Sequence, residues 1–346
     1  MIAEALRKIA AGADLARGEA EAAMEQILSG RSNDAEIAAL LGALREKGET
    51  ADEIVGFAAA IRRHAAPIFD PRRPPQEMLV DTCGTGGDAS GTFNVSTASA
   101  FVVAGAGVRV AKHGNRSISS RCGSADVLEA LGIALDVPPA QVGAAIEEVG
   151  IGFLFAPAVH SATRYAMAAR RQLGGRTVFN LLGPLTNPAG AQAQVVGVYD
   201  AARTEMLAQA LGALGVQRAF VVHGADGLDE ITLSGETYIA ELRDHVVRSY
   251  TVAPEDFGLA RAPREAVRGG DATENAEIII RILAGERGPR RDIVLANSSA
   301  AFVAAGRAAD FLEGARLATK SIDSGAARAK LDQLLAFSPK KKLTSS

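Results

Sequence analysis

A short apolar run at residues 78–80 leads directly into Asp81-Thr82-Cys83-Gly84-Thr85-Gly86-Gly87-Asp88, then into Gly91-Thr92-Phe93-Asn94-Val95-Ser96-Thr97 and an alanine-rich helical stretch. Strand, glycine-rich turn and helix in immediate succession commit this part of the chain to an α/β unit, because glycines take backbone conformations closed to other residues. The same arrangement suits anions: loop amides and the first turn of a helix present partial positive charge to a phosphate. Thr92, Asn94, Ser96 and Thr97 add side-chain donors and potential metal ligands. No Lys-Ser or Lys-Thr closes the glycine run, and Ala89 stands where a dinucleotide fingerprint needs its third glycine, so ATP hydrolysis and nicotinamide chemistry lose ground. A purely structural turn is the rival reading of the glycines alone; the hydroxyl cluster that follows weighs against it.

The remaining chain has room for more than this unit. Its 346 residues suggest two domains. Residues 2–64 are rich in Ala, Leu, Ile and Glu at helical spacing, with turn signals at Gly12, Gly30 and Gly48, and predict four short helices. Asn33 with Glu36, and Thr50 with Glu53, have the spacing of capping boxes. Pro67, Pro71, Pro74 and Pro75 then mark a connector. Beyond it, apolar runs at 78–80, 108–111, 152–155, 195–199 and 219–222 alternate with helix-like stretches, which predicts an α/β domain with a mostly parallel central sheet. Residues 251–289 read as loops around a helix at 272–283, and 339–346, with Lys340, Lys341 and Lys342, as a solvated tail.

Two further polar segments fall where a parallel sheet usually binds ligands, at the carboxyl ends of strands. Lys112-His113-Gly114-Asn115-Arg116-Ser117-Ile118-Ser119-Ser120-Arg121 follows the second strand; Lys112 suits a diphosphate, and Ser119 and Ser120 its oxygens. An ordinary solvated basic loop is the alternative. Gly227-Leu228-Asp229-Glu230-Ile231 places adjacent carboxylates after the fifth strand, hard oxygen ligands of the kind magnesium takes. Arg170 could hold a carboxylate through two hydrogen bonds, although Arg164, Arg171 and Arg176 are equally available by spacing. His113, His160, His223 and His245 show no metal-ligand spacing.

Composition narrows the partners. Apolar residues make up 48% and the formal net charge is -3, with both signs interspersed, so no electrostatic footprint for nucleic acid or an anionic membrane is present. No apolar run reaches the roughly 18 residues of a membrane helix. A cytoplasmic location is expected, with Cys83 and Cys122 as free thiols.

At Gly84-Thr85-Gly86-Gly87-Asp88, Asn94-Val95-Ser96-Thr97, Lys112-His113-Gly114-Asn115, Gly123-Ser124-Ala125-Asp126 and Gly227-Leu228-Asp229-Glu230-Ile231 the chain resembles the anthranilate phosphoribosyltransferases, and the resemblance covers nearly all of it. It implies transfer of the 5-phosphoribosyl group from phosphoribosyl diphosphate to anthranilate, in tryptophan biosynthesis, with magnesium at two ions per subunit. It further implies a homodimer formed through the helices. The small helical domain would be residues 1–66, completed by an insertion near 162–185, against an α/β domain of 67–161 and 186–338. Gly84, Gly87, Asp88, Thr92, Asn94, Val95, Ser96, Thr97, Lys112, His113, Gly114, Arg116, Ser117, Ile118, Ser119, Ser120 and Ser124 would line the substrate site, with Asn115 and Arg170 contacting anthranilate. Ser96, Asp229 and Glu230 would hold the metal, and Lys112, Asp229 and Glu230 carry the catalysis. Cys122, Ser161-Ala162-Thr163 and Asn297-Ser298-Ser299 depart from the family pattern; the last is expected to matter only to packing. A pyrimidine nucleoside phosphorylase and a catalytically silent, nucleic-acid-binding relative are the rival readings.

Overall fold

The computed structural model describes residues 1–338 except 71, 74, 89 and 118–120. The lysine-rich tail and Ile118, Ser119 and Ser120 therefore lie outside the described residues.

Four helices open the chain: α1 (Ile2–Ala10), α2 (Arg17–Leu28), α3 (Asp34–Lys47) and α4 (Ala51–Arg63). Both capping boxes form. Asn33 accepts from the Glu36 amide at 2.9 Å and Glu36 reaches back to the Asn33 amide at 3.1 Å, satisfying two donors that a helix start would otherwise leave free. Glu53 does more than cap. Fully buried, it takes the amides of Thr50 and Leu15, both at 2.9 Å, and the ammonium of Lys47 at 3.0 Å, so one carboxylate ties α4 to the α1–α2 connection and to the end of α3.

The second part is a seven-stranded sheet: β1 (Leu79–Gly84), β2 (Arg109–Gly114), β3 (Ile151–Phe155), β4 (Ala193–Gly197), β5 (Arg218–Gly224), β6 (Thr237–Arg243) and β7 (Val246–Val252), with α5 (Val95–Gly105) after β1. Strand order is β3-β2-β1-β4-β5-β6-β7; the first five are parallel and the last two antiparallel. Successive side chains on a strand face opposite sides. Val195, Phe220 and Val222 thus enter a core with Phe101 and Phe302, while Val196, Ala219 and Val221 enter a second core shared with the apolar faces of α1–α4. Burial on both faces explains why these strands read as continuous apolar runs. Each fully buried Val or Phe contributes about 1.5–3 kcal/mol.

The chain winds outward from β1 to β3, then returns to place β4 on the other side of β1. Winding direction reverses between β1 and β4, and a crevice opens there at the strands' carboxyl ends. Pairing carries the strands further than their apolar runs suggest: Gly84 pairs with Gly197, and Lys112, His113 and Gly114 pair with β3. Lys112 is consequently a strand residue and not the start of a loop.

The β6–β7 hairpin has no counterpart in the expected strands, and β7 runs into the segment expected to be loop. Its two-residue turn is Asp244-His245 at φ 50 and 63, a turn most readily seen in a sequence when it contains glycine. The helix expected at 272–283 is present as Ala272–Leu283.

Candidate active site

The crevice is a cleft of about 300 Å³ lined by the glycine loop, the ends of β1 and β2, the Asp229-Glu230 loop, and the segment that carries Arg170, Phe179 and Asn180. Three pieces far apart in the chain meet at the switch point. Gly197 makes the approach possible, because a Cβ there would overlap the carbonyl oxygen of Asp229.

Backbone donors shape the acidic wall. The Gly86 amide donates to Asp229 Oδ2 at 3.0 Å and the Ser96 amide, in the first turn of α5, to Glu230 Oε1 at 3.1 Å. Asp229 is raised well above the usual carboxylate range by burial, then by the charges of Asp88 and Glu230. Burial also raises Glu230, to about 7, against the opposing pull of Lys112 and the Ser96 amide. Crowded carboxylates of this kind are short of positive charge, and with the Ser96 hydroxyl they offer hard oxygen ligands that fit a magnesium ion. Among the described residues no group of three or more His, Cys, Asp and Glu side chains forms a metal cage, so the protein would supply only part of the coordination. That is the usual magnesium arrangement, with water and substrate phosphate completing the octahedron.

Lys112 projects from β2 beneath this wall. It is buried, and its ammonium donates to the Thr82 carbonyl and, at 3.2 Å, to Ser96 Oγ. Burial lowers its pKa, while Asp81, Cys83 and the acidic pair oppose the shift. Asp81 is a part of the site that residue spacing did not single out. Its buried carboxylate takes the His113 amide at 3.0 Å and the Asn187 side chain at 2.8 Å, fixing β2 where Lys112 and His113 project. His113 Nδ1 donates to the Gly183 carbonyl at 3.0 Å, and its ring meets His160 edge-on at 5.1 Å between centroids. Burial and then His113 pull His160 down to about 3; both rings are neutral.

Of the expected site residues, Gly84, Gly87, Asp88, Thr92, Asn94, Ser96, Lys112, His113, Gly114, Asn115, Arg116, Ser117, Ser124, Arg170, Asp229 and Glu230 line the cleft. Val95 and Thr97 do not: Val95 packs in the core, and Thr97 is buried with its hydroxyl unpartnered among the described residues. Arg116 is engaged by Asp126 at 3.0 Å and Glu129 at 2.5 Å, so much of its charge is already matched. Arg170 has no carboxylate partner among the described residues; its guanidinium lies 5.0 Å from the centroid of Phe179. Cys122 packs on Asn94, and burial raises its thiol to about 11, so it acts as a neutral packing group.

Asn297 corrects an expectation. Its side chain accepts from the Ile231 amide at 2.9 Å and donates to the Ile231 carbonyl at 3.0 Å, so it does more than pack. It clamps the peptide next to Glu230 from the buried helix Pro289–Ala304. Asp226 shapes the same loop from the other side, taking the hydroxyls of Thr232 at 2.7 Å and Ser234 at 2.6 Å. Spacing could not reveal the Asn297 contact, whose partners are 66 residues apart, whereas the Asp226 contacts are local turns within the loop.

Comparison with known proteins gives consistent matches. Residues 3–65 match the model of the glycosyl transferase family helical bundle domain, and residues 76–328 that of the glycosyl transferase family a/b domain. The chain is 56% identical over 332 residues to the anthranilate phosphoribosyltransferase of Symbiobacterium thermophilum, covering 96% of each, and 55% identical over 337 residues to that of Moorella thermoacetica, covering 97% and 98%. The crystal structure of the Thermus thermophilus anthranilate phosphoribosyltransferase superposes with a TM-score of 0.90 at 47% identity, over 96% of this chain and 98% of that one. The Saccharomyces cerevisiae enzyme in complex with PRPP and Mg superposes with a TM-score of 0.86 at 28% identity, over 97% of each chain. No helix among the described residues is long and apolar enough to cross a membrane.

Proposed function

The chain belongs to the anthranilate phosphoribosyltransferase family, and we propose from that premise and the cleft's geometry how its residues transfer the 5-phosphoribosyl group of phosphoribosyl diphosphate to the amine of anthranilate. The observation that carries this reading is the meeting of glycine loop, Lys112 and acidic pair at one switch point. Gly84, Gly87, Asp88, Thr92, Asn94 and Ser96 hold the donor. The amides of Gly87 and Asp88 have no protein acceptor among the described residues and are free to meet phosphate oxygens. Ser96, Asp229 and Glu230 hold magnesium, at two ions per subunit.

When bound, magnesium supplies the positive charge that stabilises diphosphate as a leaving group. Lys112, held by the Thr82 carbonyl and Ser96 Oγ at the cleft lining, adds a fixed, buried cation that would offset the same negative charge. The bond from the anomeric carbon to diphosphate breaks, diphosphate leaves with the electron pair, and the anthranilate nitrogen bonds to that carbon. The arylammonium so formed is strongly acidic and loses its proton to water, so the cleft needs no strong base. Arg170 and Asn115 position the acceptor, with Phe179 beneath the guanidinium as a flat apolar wall.

Residues 1–66 with the segment near 162–185 act as one helical domain hinged against 67–161 and 186–338. The Arg45 guanidinium, at the end of α3, donates to the Gly174 carbonyl at 3.2 Å, and Gly42 of α3 lies against Leu173, contacts that support that grouping. The enzyme works as a homodimer through the helices, in the cytoplasm. Mixing the protein with phosphoribosyl diphosphate and anthranilate tests the reaction. Magnesium-dependent loss of anthranilate fluorescence with diphosphate release is expected; no loss from folded protein would overturn it.

A further inference from the structure

Arg176 does not line the cleft, yet it grips the glycine loop. It lies between helix Met167–Leu173 and helix Phe179–Leu182, the segment that brings Arg170 and Phe179 to the acceptor side. Its guanidinium stacks 4.0 Å from the ring centroid of Tyr199 and donates to the carbonyl of Gly87. Tyr199 holds the loop a second time, its amide donating to the Thr85 hydroxyl at 3.2 Å. Gly87 sits at φ 81, where an L side chain is strained, and a Cβ there would come within 3.3 Å of Arg176 Nε.

The consequence follows from peptide geometry. The Gly87–Asp88 bond is trans, so its N–H points opposite to its C=O. With the carbonyl turned toward Arg176, the Asp88 amide is turned away from it and finds no acceptor among the described residues. Releasing the carbonyl would let this peptide rotate, since glycine imposes no barrier of its own.

We propose that Arg176 is a positioning residue that sets the Gly87–Asp88 peptide so its amide is presented to the donor's diphosphate. This rests on the donor reading given above. Arg176 works through the loop, and Tyr199 fixes the plane of its guanidinium.

The test uses the full chain as Arg176→Ala, Tyr199→Leu and the double variant. Affinity for inorganic diphosphate with magnesium is measured by calorimetry, and both KM values by anthranilate fluorescence. Arg176→Ala is expected to weaken diphosphate binding and raise the donor KM about tenfold, the scale of one exposed cation–π contact with one charge-assisted hydrogen bond. The anthranilate KM should stay within about twofold of wild type and the melting temperature should hold, because the side chain is exposed. Tyr199→Leu should act in the same direction and more weakly, and the double variant should fall short of additivity. Unchanged diphosphate affinity in Arg176→Ala, an equal rise in both KM values, or full additivity would overturn the proposal. A wild-type protein that binds diphosphate but consumes no anthranilate would sink the reaction assignment instead, leaving the loop measurement intact.

Discussion

The two walls of the cleft are built differently. The donor wall consists of strand ends and a helix start locked by buried hydrogen bonds, among them Asp81 to His113 and Asn187, Lys112 to Thr82 and Ser96, and Asn297 to Ile231. The acceptor wall consists of short helices, and Arg170 has an aromatic neighbour but no acidic partner among the described residues. The donor carries charge that must be met at fixed points while diphosphate leaves, whereas a small aromatic acid needs one cation and a flat surface. A rigid wall suits the first task and an adaptable one the second.

The sharpest way to break this contrast is to neutralise the rigid wall. Asp229→Asn with Glu230→Gln should lower kcat/KM at least ~1,000-fold by removing the magnesium ligands. Near-normal turnover in that double variant would remove the metal assignment. The metal-free fold should not suffer. Both carboxyls titrate above their ordinary values, so between roughly pH 4 and 7 the folded chain holds protons that the unfolded chain has released. The pair's contribution to metal-free stability therefore falls as pH rises through that window, while the buried neutral His113 and His160 push the other way, and the amides remove the pair's part alone. Each unit of raised pKa is about 1.4 kcal/mol, so in chelator the melting temperature of the wild type relative to the double amide variant should drop by ~2–4 °C or more from pH 5 to 8. Magnesium should restore more at pH 8 than at pH 5. Parallel profiles for the two proteins in chelator would show that the pair is better solvated than its surroundings indicate.

Arg170→Ala tests the other wall. It should raise the anthranilate KM about 30-fold, the loss of a charge-assisted pair of hydrogen bonds, and leave the donor KM within about twofold. A matching rise in the donor KM would mean that the walls are not separable. Asn297→Ala should raise the magnesium concentration at half-activation about tenfold, because the unpaired Ile231 peptide loses about 1–3 kcal/mol and Glu230 is no longer held. An unchanged magnesium midpoint alongside a lower melting temperature would reduce Asn297 to a packing residue.

The same contrast governs what the sequence made legible. The donor wall could be read because its chemistry is local: strand, glycines and hydroxyls within residues 78–97, and Asp229-Glu230 as neighbours. Its supports could not be read, since Asp81 with Asn187 and Ile231 with Asn297 are 106 and 66 residues apart and meet only through the fold. Arg170 was one of four equivalent arginines until burial and Phe179 distinguished it, and Arg116 looked available until Asp126 and Glu129 claimed it. In the fold, the helical caps were explicit and the β6–β7 hairpin was not, because an Asp-His turn gives none of the glycine signal such turns usually carry.

The helical unit supplies the smallest effect and a control for the rest. Asn33→Ala removes one capping acceptor at an exposed helix start far along the chain from the cleft, and should cost about 1 kcal/mol with KM and kcat unchanged. Thr50→Ala should cost a similar amount through its own cap. Glu53→Gln is more informative. Its carboxylate serves two amides and Lys47 at once in a buried position, so the amide should destabilise by more than either cap while activity at 25 °C persists. If Glu53→Gln instead changed the anthranilate KM, the helical unit would be shaping the acceptor wall that packs against it, and the division into a rigid donor side and an independent acceptor side would have to extend through α4.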